Sequence, residues 1–230
     1  MKLSIIIPCF NEESTIKKII EKIYSIKDLN KEVIVIDDNS NDKSRVILQN
    51  EINEKFDHLI LNYKNFGKGY SIREGIKKAT GDLILIQDAD LEYDPNDYYK
   101  LIKPFQMGVA DVVYGSRFIG NNQRRVLYFW HTIGNKFLTF ISNMLSNLNL
   151  SDMEVGYKVF KSDVLKNIIL EENRFGFEPE ITAKIAKKKL RIYEVGINYF
   201  GRTYAEGKKI TWKDGLSAIK CILIYNLKNK

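Results

Sequence analysis

Residues 81–97 read GDLILIQDADLEYDPND, and no other stretch constrains the fold of this chain as strongly. Leu83, Ile84, Leu85 and Ile86 form an unbroken apolar run, bounded by Gly81-Asp82 and by acidic residues. A short run rich in branched residues predicts a parallel strand covered on both faces. It delivers Asp88, Ala89 and Asp90 to the strand's carboxyl end, and Glu92 continues the period. Side chains two apart on an extended segment point the same way, so these carboxylates can meet one ion. Hard divalent cations take several oxygens at short range, which makes Mg²⁺ or Mn²⁺, shared with substrate phosphates, the expected metal. Capping the next helix is the plain alternative, but a cap needs one carboxylate, not three at period two.

The flanking chain repeats the pattern. Lys2 to Ile7 predicts a strand stopped by Pro8, and Glu13 or Ser14 opens a helix bearing Ile16, Ile19, Ile20 and Ile23. Lys31 to Ile36 predicts a strand ending in Asp37-Asp38-Asn39-Ser40, and Asp42 caps a helix with Val46, Ile47 and Ile52. His58 to Leu61, a glycine-rich loop 65–69 and a helix from Tyr70 to Ala79 lead into the central run. Strand and helix alternate, which implies βαβ units and a mostly parallel sheet with helices on both faces. Ligands of such sheets sit beyond the strands' carboxyl ends, where Pro8, Asp38 and Asp88 all fall. Farther on come a helix from Asp97 to Gln106 and a strand from Asp111 to Tyr114, with Gly115-Ser116-Arg117-Phe118 at its end.

The 230 residues suit one α/β domain, 1–230. A formal charge of +7 points to anionic partners. No RNA- or DNA-binding motif accompanies it, which leaves nucleotide phosphates and an anionic membrane rather than nucleic acid. Cys9 and Cys221 lie far apart without metal-ligand spacing, as expected in a reducing cytoplasm. The first residues already read as a strand, so no signal peptide is expected. No segment has the roughly 20 consecutive apolar residues of a membrane span, so any membrane contact is expected to be peripheral.

PCFNEE, the DDNS turn, NFGKGYSIREGI, the DAD motif and GSRF together resemble a family 2 glycosyltransferase. The likeness is nearest to the dolichol-phosphate mannose synthase branch, which transfers a hexose to polyprenyl phosphate. The resemblance is strong over residues 1–120 and looser beyond. It implies a GT-A fold, a nucleotide-diphosphate sugar donor (UDP or GDP) and inversion at the anomeric carbon. By position in the motifs, it implies that Pro8, Phe10 and Glu12 line the base and ribose and that Asp38 holds the base edge. Lys68 lies in a loop that could reach phosphate. Asp88, Ala89, Asp90 and Glu92 would hold metal or sugar, and Arg117, with Arg125 or Arg124, acceptor or donor phosphate. Guanidinium suits that task because its planar fork bonds phosphate oxygens in pairs.

Residues 121–230 read as the acceptor- and membrane-facing part. Val126 to Leu150 carries Tyr128, Phe129, Trp130, Phe137 and Phe140 behind a basic pair. Such residues favour membrane interfaces and anionic headgroups, which predicts one or two interfacial helices. A packed internal helix or an oligomer contact is the rival, and His131 reads as structural. Ser151 to Lys158 resembles the family's D-x-x-x-G-[FY] element, where Asp152 and Glu154 could each face the reacting centre. A phosphate acceptor is already ionised and needs no base, whereas a hydroxyl acceptor needs a carboxylate. Glu178 either orients the acceptor loop or caps its helix. Residues 201–210 resemble the family's basic loop that closes on the diphosphate, with Arg202 and Lys208 as its expected contacts. A final amphipathic helix runs from Trp212 to Tyr225.

The expected activity is metal-dependent inverting transfer of a hexose to a lipid acceptor, polyprenyl phosphate, at the inner face of the cell membrane. The alternatives are transfer to a neutral hydroxyl of a glycerolipid or saccharide, with Asp152 or Glu154 as base, and an inactive nucleotide-sugar-binding protein. A sugar-phosphate nucleotidyltransferase would place a glycine-rich loop after the first strand, and PCFNEES has no glycine.

Overall fold

The computed structural model describes residues 1–120, 123–209 and 212–228. Its strands are β1 Leu3–Cys9, β2 Lys31–Asp37, β3 His58–Leu61, β4 Leu83–Ile86, β5 Val112–Ser116, β6 Lys158–Lys161 and β7 Ile192–Gly196. They form one seven-stranded sheet in the order β3-β2-β1-β4-β6-β5-β7. The apolar run 83–86 is thus the middle strand, and all its residues are buried. Consecutive residues of β2 and β5 are buried too, so both faces of the sheet are covered.

The helices are α1 Ile16–Ser25, α2 Ser44–Val46, α3 Lys68–Lys78, α4 Tyr98–Gln106, α5 Phe129–Ser146, α6 Ser162–Lys166, α7 Phe177–Lys187 and α8 Trp212–Leu227. In α1 the four predicted isoleucines are the buried residues. It opens at Ile16 rather than at Glu13 or Ser14, because the Glu12 carbonyl accepts the amides of Thr15 and Ile16. Asp42 does accept from the Ser44 amide at 2.9 Å. The buried stripe beyond it is Ser44, Leu48 and Ile52, at fourfold spacing, which leaves Val46 exposed. A wide π turn, Ile47–Glu51, completes this segment. Helix α3 opens two residues before Tyr70, which puts Lys68 in its first turn, after Gly67 at φ 105°.

One strand departs from βαβ alternation. β6 lies antiparallel between β4 and β5. The reason is where the chain returns from. β5 ends on the ligand side, and the chain re-enters the sheet from there: the Gly115 amide donates to the Tyr157 carbonyl, and Arg117 pairs with Asp152. A strand entered from that end must run away from it. This return lays residues 151–157 beside the carboxyl ends of β4 and β5.

Residues 129–146 form a single helix, α5, which packs Leu138, Ile141 and Leu145 on the core and leaves a second apolar stripe facing out. Its buried residues are Thr139 and Ser142, while Phe129, Trp130, Ile133, Phe137, Phe140 and Met144 are exposed. Helix α8 packs against it and exposes Trp212 and Leu216. No helix among the described residues is long and apolar enough to cross a membrane. The basic loop expected at 201–210 ends on Ile210, which lies outside the described residues.

Candidate active site

The carboxyl ends of β1, β2 and β4 converge as the alternation implies. β1 is not stopped by Pro8 but pairs on through it to Cys9, and Pro8 and Phe10 are both half-buried. Glu12 is buried and serves two tasks. Its Oε2 accepts from Thr15 Oγ1 at 2.7 Å, anchoring α1, and its carboxylate also meets Arg202 and Lys209. Asp38 is buried with every bond directed into the protein. Its Oδ1 accepts from Asn62 Nδ2 at 2.7 Å and the Phe66 amide at 3.0 Å, and its Oδ2 from the Gly67 amide at 2.7 Å. Asp38 therefore builds the glycine-rich loop.

The acidic trio is divided between two cations. The strand ends at Ile86 and residues 87–92 turn, so the period-two rule stops where the chain stops being extended. Asp88 Oδ1 pairs with Lys68 Nζ at 2.7 Å. Asp90 Oδ2 pairs with Arg202 Nη2 at 2.8 Å, and Asp90 Oδ1 accepts the Glu92 amide at 3.0 Å. Glu92 Oε1 accepts the Arg202 amide at 2.9 Å, and its Oε2 accepts from the Tyr199 hydroxyl at 2.9 Å. Ala89, between the aspartates, is buried. Among the described residues no three His, Cys, Asp or Glu groups lie close enough to hold one ion as they stand. The electrostatics nonetheless suit a cation. Burial, then the charges of Asp88 and Glu92, push the Asp90 carboxyl up to about 8 even with Arg202 beside it.

Arg202 reaches further, to Glu12 Oε2 through Nη1 at 3.1 Å and Oε1 through Nη2 at 3.2 Å. One guanidinium thus bridges the segment after β1 and the turn after β4. Lys209, not the expected Lys208, is the loop's second contact with this end, bonding Glu12 Oε1 at 2.7 Å and the carbonyls of Phe10 and Asn11. Lys208 turns the other way, to Nδ1 of His131 on α5, at 2.9 Å. Two adjacent lysines are indistinguishable by sequence pattern, and the backbone decides which one meets Glu12 and which meets His131.

On the other side of β4, Arg117 is held by Asp152 through a bidentate pair, Nε to Oδ2 and Nη2 to Oδ1, both 2.6 Å. The Asp152 side chain is fully buried. Arg125 bonds Glu206 Oε2 at 2.7 Å and the Gly201 carbonyl, and Arg124 is exposed. Glu154 is only partly buried, yet its Oε1 is sealed from solvent with no hydrogen-bond partner. Burial, and next the charge of Glu178, raise its carboxyl to about 8. Burial lowers Lys158 to about 8. Gly156 is glycine for want of room: a Cβ there would lie 2.4 Å from Asp88 Oδ2 and 2.8 Å from the Tyr93 ring. The backbone of the 151–157 return is therefore packed directly on Asp88.

The family model Glycosyl transferase family 2 matches residues 4–169. Dolichol-phosphate mannosyltransferase of Pyrococcus furiosus is 28% identical over 218 residues, covering 91% of this chain and 61% of that protein. Undecaprenyl-phosphate 4-deoxy-4-formamido-L-arabinose transferase of Proteus mirabilis is 27% identical over 213 residues, covering 90% of this chain and 62% of its own length. The chain thus spans less than two thirds of either relative. Glucosyl-3-phosphoglycerate synthase of Mycobacterium tuberculosis, solved in complex with Mn²⁺, UDP and glucosyl-3-phosphoglycerate, superposes with a TM-score of 0.77. At 17% identity, over 100% of this chain and 81% of that one, the likeness shows the fold alone. On the match of residues 4–169, the chain belongs to glycosyltransferase family 2, an enzyme family, and its sheet is the GT-A fold.

Proposed function

We propose that this protein moves a hexose from a UDP- or GDP-sugar to a lipid-borne polyprenyl phosphate, seated peripherally on the cytoplasmic face of an anionic membrane. One observation carries the reading. A single basic segment joins the acidic ends of β1 and β4, through Arg202 and Lys209, to the outward-apolar helix α5, through Lys208 and His131. A donor site and an apolar surface tied by one loop suit a reaction between a charged nucleotide and a lipid. The two polyprenyl-phosphate relatives point the same way. In this reading residues 1–120 hold the donor, residues 121–230 face acceptor and membrane, and both belong to one domain.

Pro8, Phe10 and Glu12 flank the nucleoside, beside the loop that Asp38 orders. Asp90 and Glu92, with Asp88, are the groups that would hold Mg²⁺ or Mn²⁺. When bound, the ion offsets the charge that grows on the departing diphosphate. An arriving diphosphate competes with Glu12, Asp90 and Glu92 for Arg202 and Lys209. These side chains then pass from the protein's carboxylates to the donor's phosphates, excluding water as the segment closes. Arg117, whose Nη1 is not used by Asp152, and Arg125 face the acceptor phosphate, which needs no base.

The geometry supports a second reading, a hydroxyl acceptor, on one point. Asp152 is locked onto Arg117, whereas Glu154 has an unpartnered oxygen, so the base would be Glu154. Release of UDP or GDP from a panel of nucleotide sugars tests both readings. Release that requires polyprenyl phosphate and a divalent cation is expected. Release driven equally by diacylglycerol establishes the hydroxyl acceptor instead, and absence of release and of nucleotide-sugar binding refutes both.

A further inference from the structure

We infer that Lys68 and Glu178 are positioning residues that set the Asp88 carboxylate for the donor, a role that rests on the donor-binding reading above. Lys68 stands in the first turn of α3, Glu178 in the first turn of α7, and Asp88 just beyond β4. Lys68 Nζ lies 2.7 Å from Asp88 Oδ1 and 3.0 Å from Glu178 Oε1. The lysine side chain is 15% exposed and the glutamate side chain 6%. Two of the three ammonium N–H groups are therefore committed inside the protein, which is not how a lysine reaching out to phosphate is held.

The far side of Asp88 is crowded too, although 22% of its side chain stays exposed. Its Oδ2 sits where any side chain on Gly156 would have to go, 2.4 Å from that Cβ position. The carboxylate is thus gripped between an ammonium and a bare backbone, and its plane is set by both. Arg202, by contrast, is shared among Glu12, Asp90 and Glu92. The two cations are almost equally covered, and what distinguishes Lys68 is that its partners come from two different helix and strand ends, α7 and β4.

Glu178 makes the arrangement more than an incidental pair. Its Oε2 is buried with no hydrogen-bond partner. A buried carboxylate left half-satisfied is costly. It draws the Lys68 ammonium under Asp88, and its charge also favours the buried ammonium of Lys158. Because Glu178 comes from the half of the chain that carries the 151–157 return, the brace also ties the donor side to the acceptor side.

The test is a mutant cycle read by donor binding. UDP-glucose and GDP-mannose, each with Mn²⁺, are titrated calorimetrically into the parent, Glu178→Gln, Lys68→Met, Lys68→Arg, and Glu178→Gln and Lys68→Met again in an Asp88→Asn background. Coupled neighbours of this kind shift affinity by about 2- to 150-fold. We expect about tenfold weaker binding in Lys68→Met, a smaller loss in Glu178→Gln and partial rescue by Lys68→Arg, against the better-bound probe. In the Asp88→Asn background neither change should weaken binding further, because both act through that carboxylate. Should Lys68→Met fail to fold with two carboxylates left facing each other, Glu178→Gln still leaves a neutral pair and answers the same question. Losses that persist in full without the Asp88 charge, or variants that bind like the parent, overturn the brace alone. A parent that binds neither probe refutes the donor reading and this role with it.

Discussion

Replacing Arg117 with Met removes one half of a buried ion pair and strands Asp152. The Asp152 side chain has no solvent exposure, and both its oxygens lie 2.6 Å from guanidinium nitrogens. What remains to it is the Arg117 amide at 3.1 Å from Oδ2. Breaking a buried pair from one side costs about 3–5 kcal/mol, since the surviving charge keeps its desolvation penalty. In a chain of this size each kcal/mol moves Tm by about 2–4 °C, so Arg117→Met should melt roughly 6–20 °C below the parent. The double variant Arg117→Met/Asp152→Asn takes away both charges and should recover most of that loss. Thermal unfolding of the parent, both single variants and the double one checks this. A fall of under about 2 °C in Arg117→Met, or a double variant as unstable as the two single losses added together, refutes the buried-pair account. The cycle also isolates chemistry. Turnover of the well-folded double variant, measured below its midpoint, reports what the guanidinium does for the acceptor once its structural task is gone. It further shows why replacing Asp152 by itself is a poor test for a base, because the change also releases Arg117.

Three other outcomes follow from the same geometry. Asp90→Asn should abolish nucleotide release while the fold survives, because the amide keeps the shape but cannot ionise when a cation arrives, as a carboxyl held up by its acidic neighbours can; full turnover in this variant, or in excess chelator, would sink the metal assignment. Glu154, held near 8 by burial and Glu178, binds its proton more tightly folded than unfolded. Its contribution to stability is therefore complete below the ordinary glutamate value of 4.5 and is lost as pH rises toward about 8. Melting curves should show this slope flattened in Glu154→Gln, and a hydroxyl-transfer activity would rise over the same range and lose that rise in the variant. Phe137 is 53% exposed on the apolar stripe of α5. Phe137→Asp should cut binding to anionic vesicles by roughly tenfold or more at low salt; parent protein that ignores such vesicles would assign the stripe to an oligomer contact.

Much of the fold was legible because it rests on local pattern. A strand buried on both faces must be apolar at every position, so Leu83 to Ile86 marked the middle of the sheet before any contact was known. The spacing of Ile16, Ile19, Ile20 and Ile23 marked the covered face of α1 in the same way. The motifs carried the family, and the aromatic residues of 126–150 announced an unusual helix. What the helix does with them was not legible. Thr139 faces inward where chain far away supplies a partner, the Met153 amide donating to its Oγ1, whereas the buried Ser142 hydroxyl has none.

The direction of β6 escaped the sequence because KVFK reads the same whichever way it runs, and the side from which the chain returned settled it. Partner choice among charges escaped it for a related reason. Nothing local distinguishes Asp152 from Glu154, Lys208 from Lys209, or Asp88 from Asp90. Arg117, 35 residues from Asp152, took one acidic residue of the return and left the other unpartnered. Lys68 took Asp88 and Arg202 took Asp90. Sequence by itself determined which segments had to be covered, since burial is written in periodicities of two and 3.6 residues. Tertiary structure alone decided which charges meet. A charge's partner is whatever the topology brings within about 4 Å, and the crossing of distant segments sets that distance.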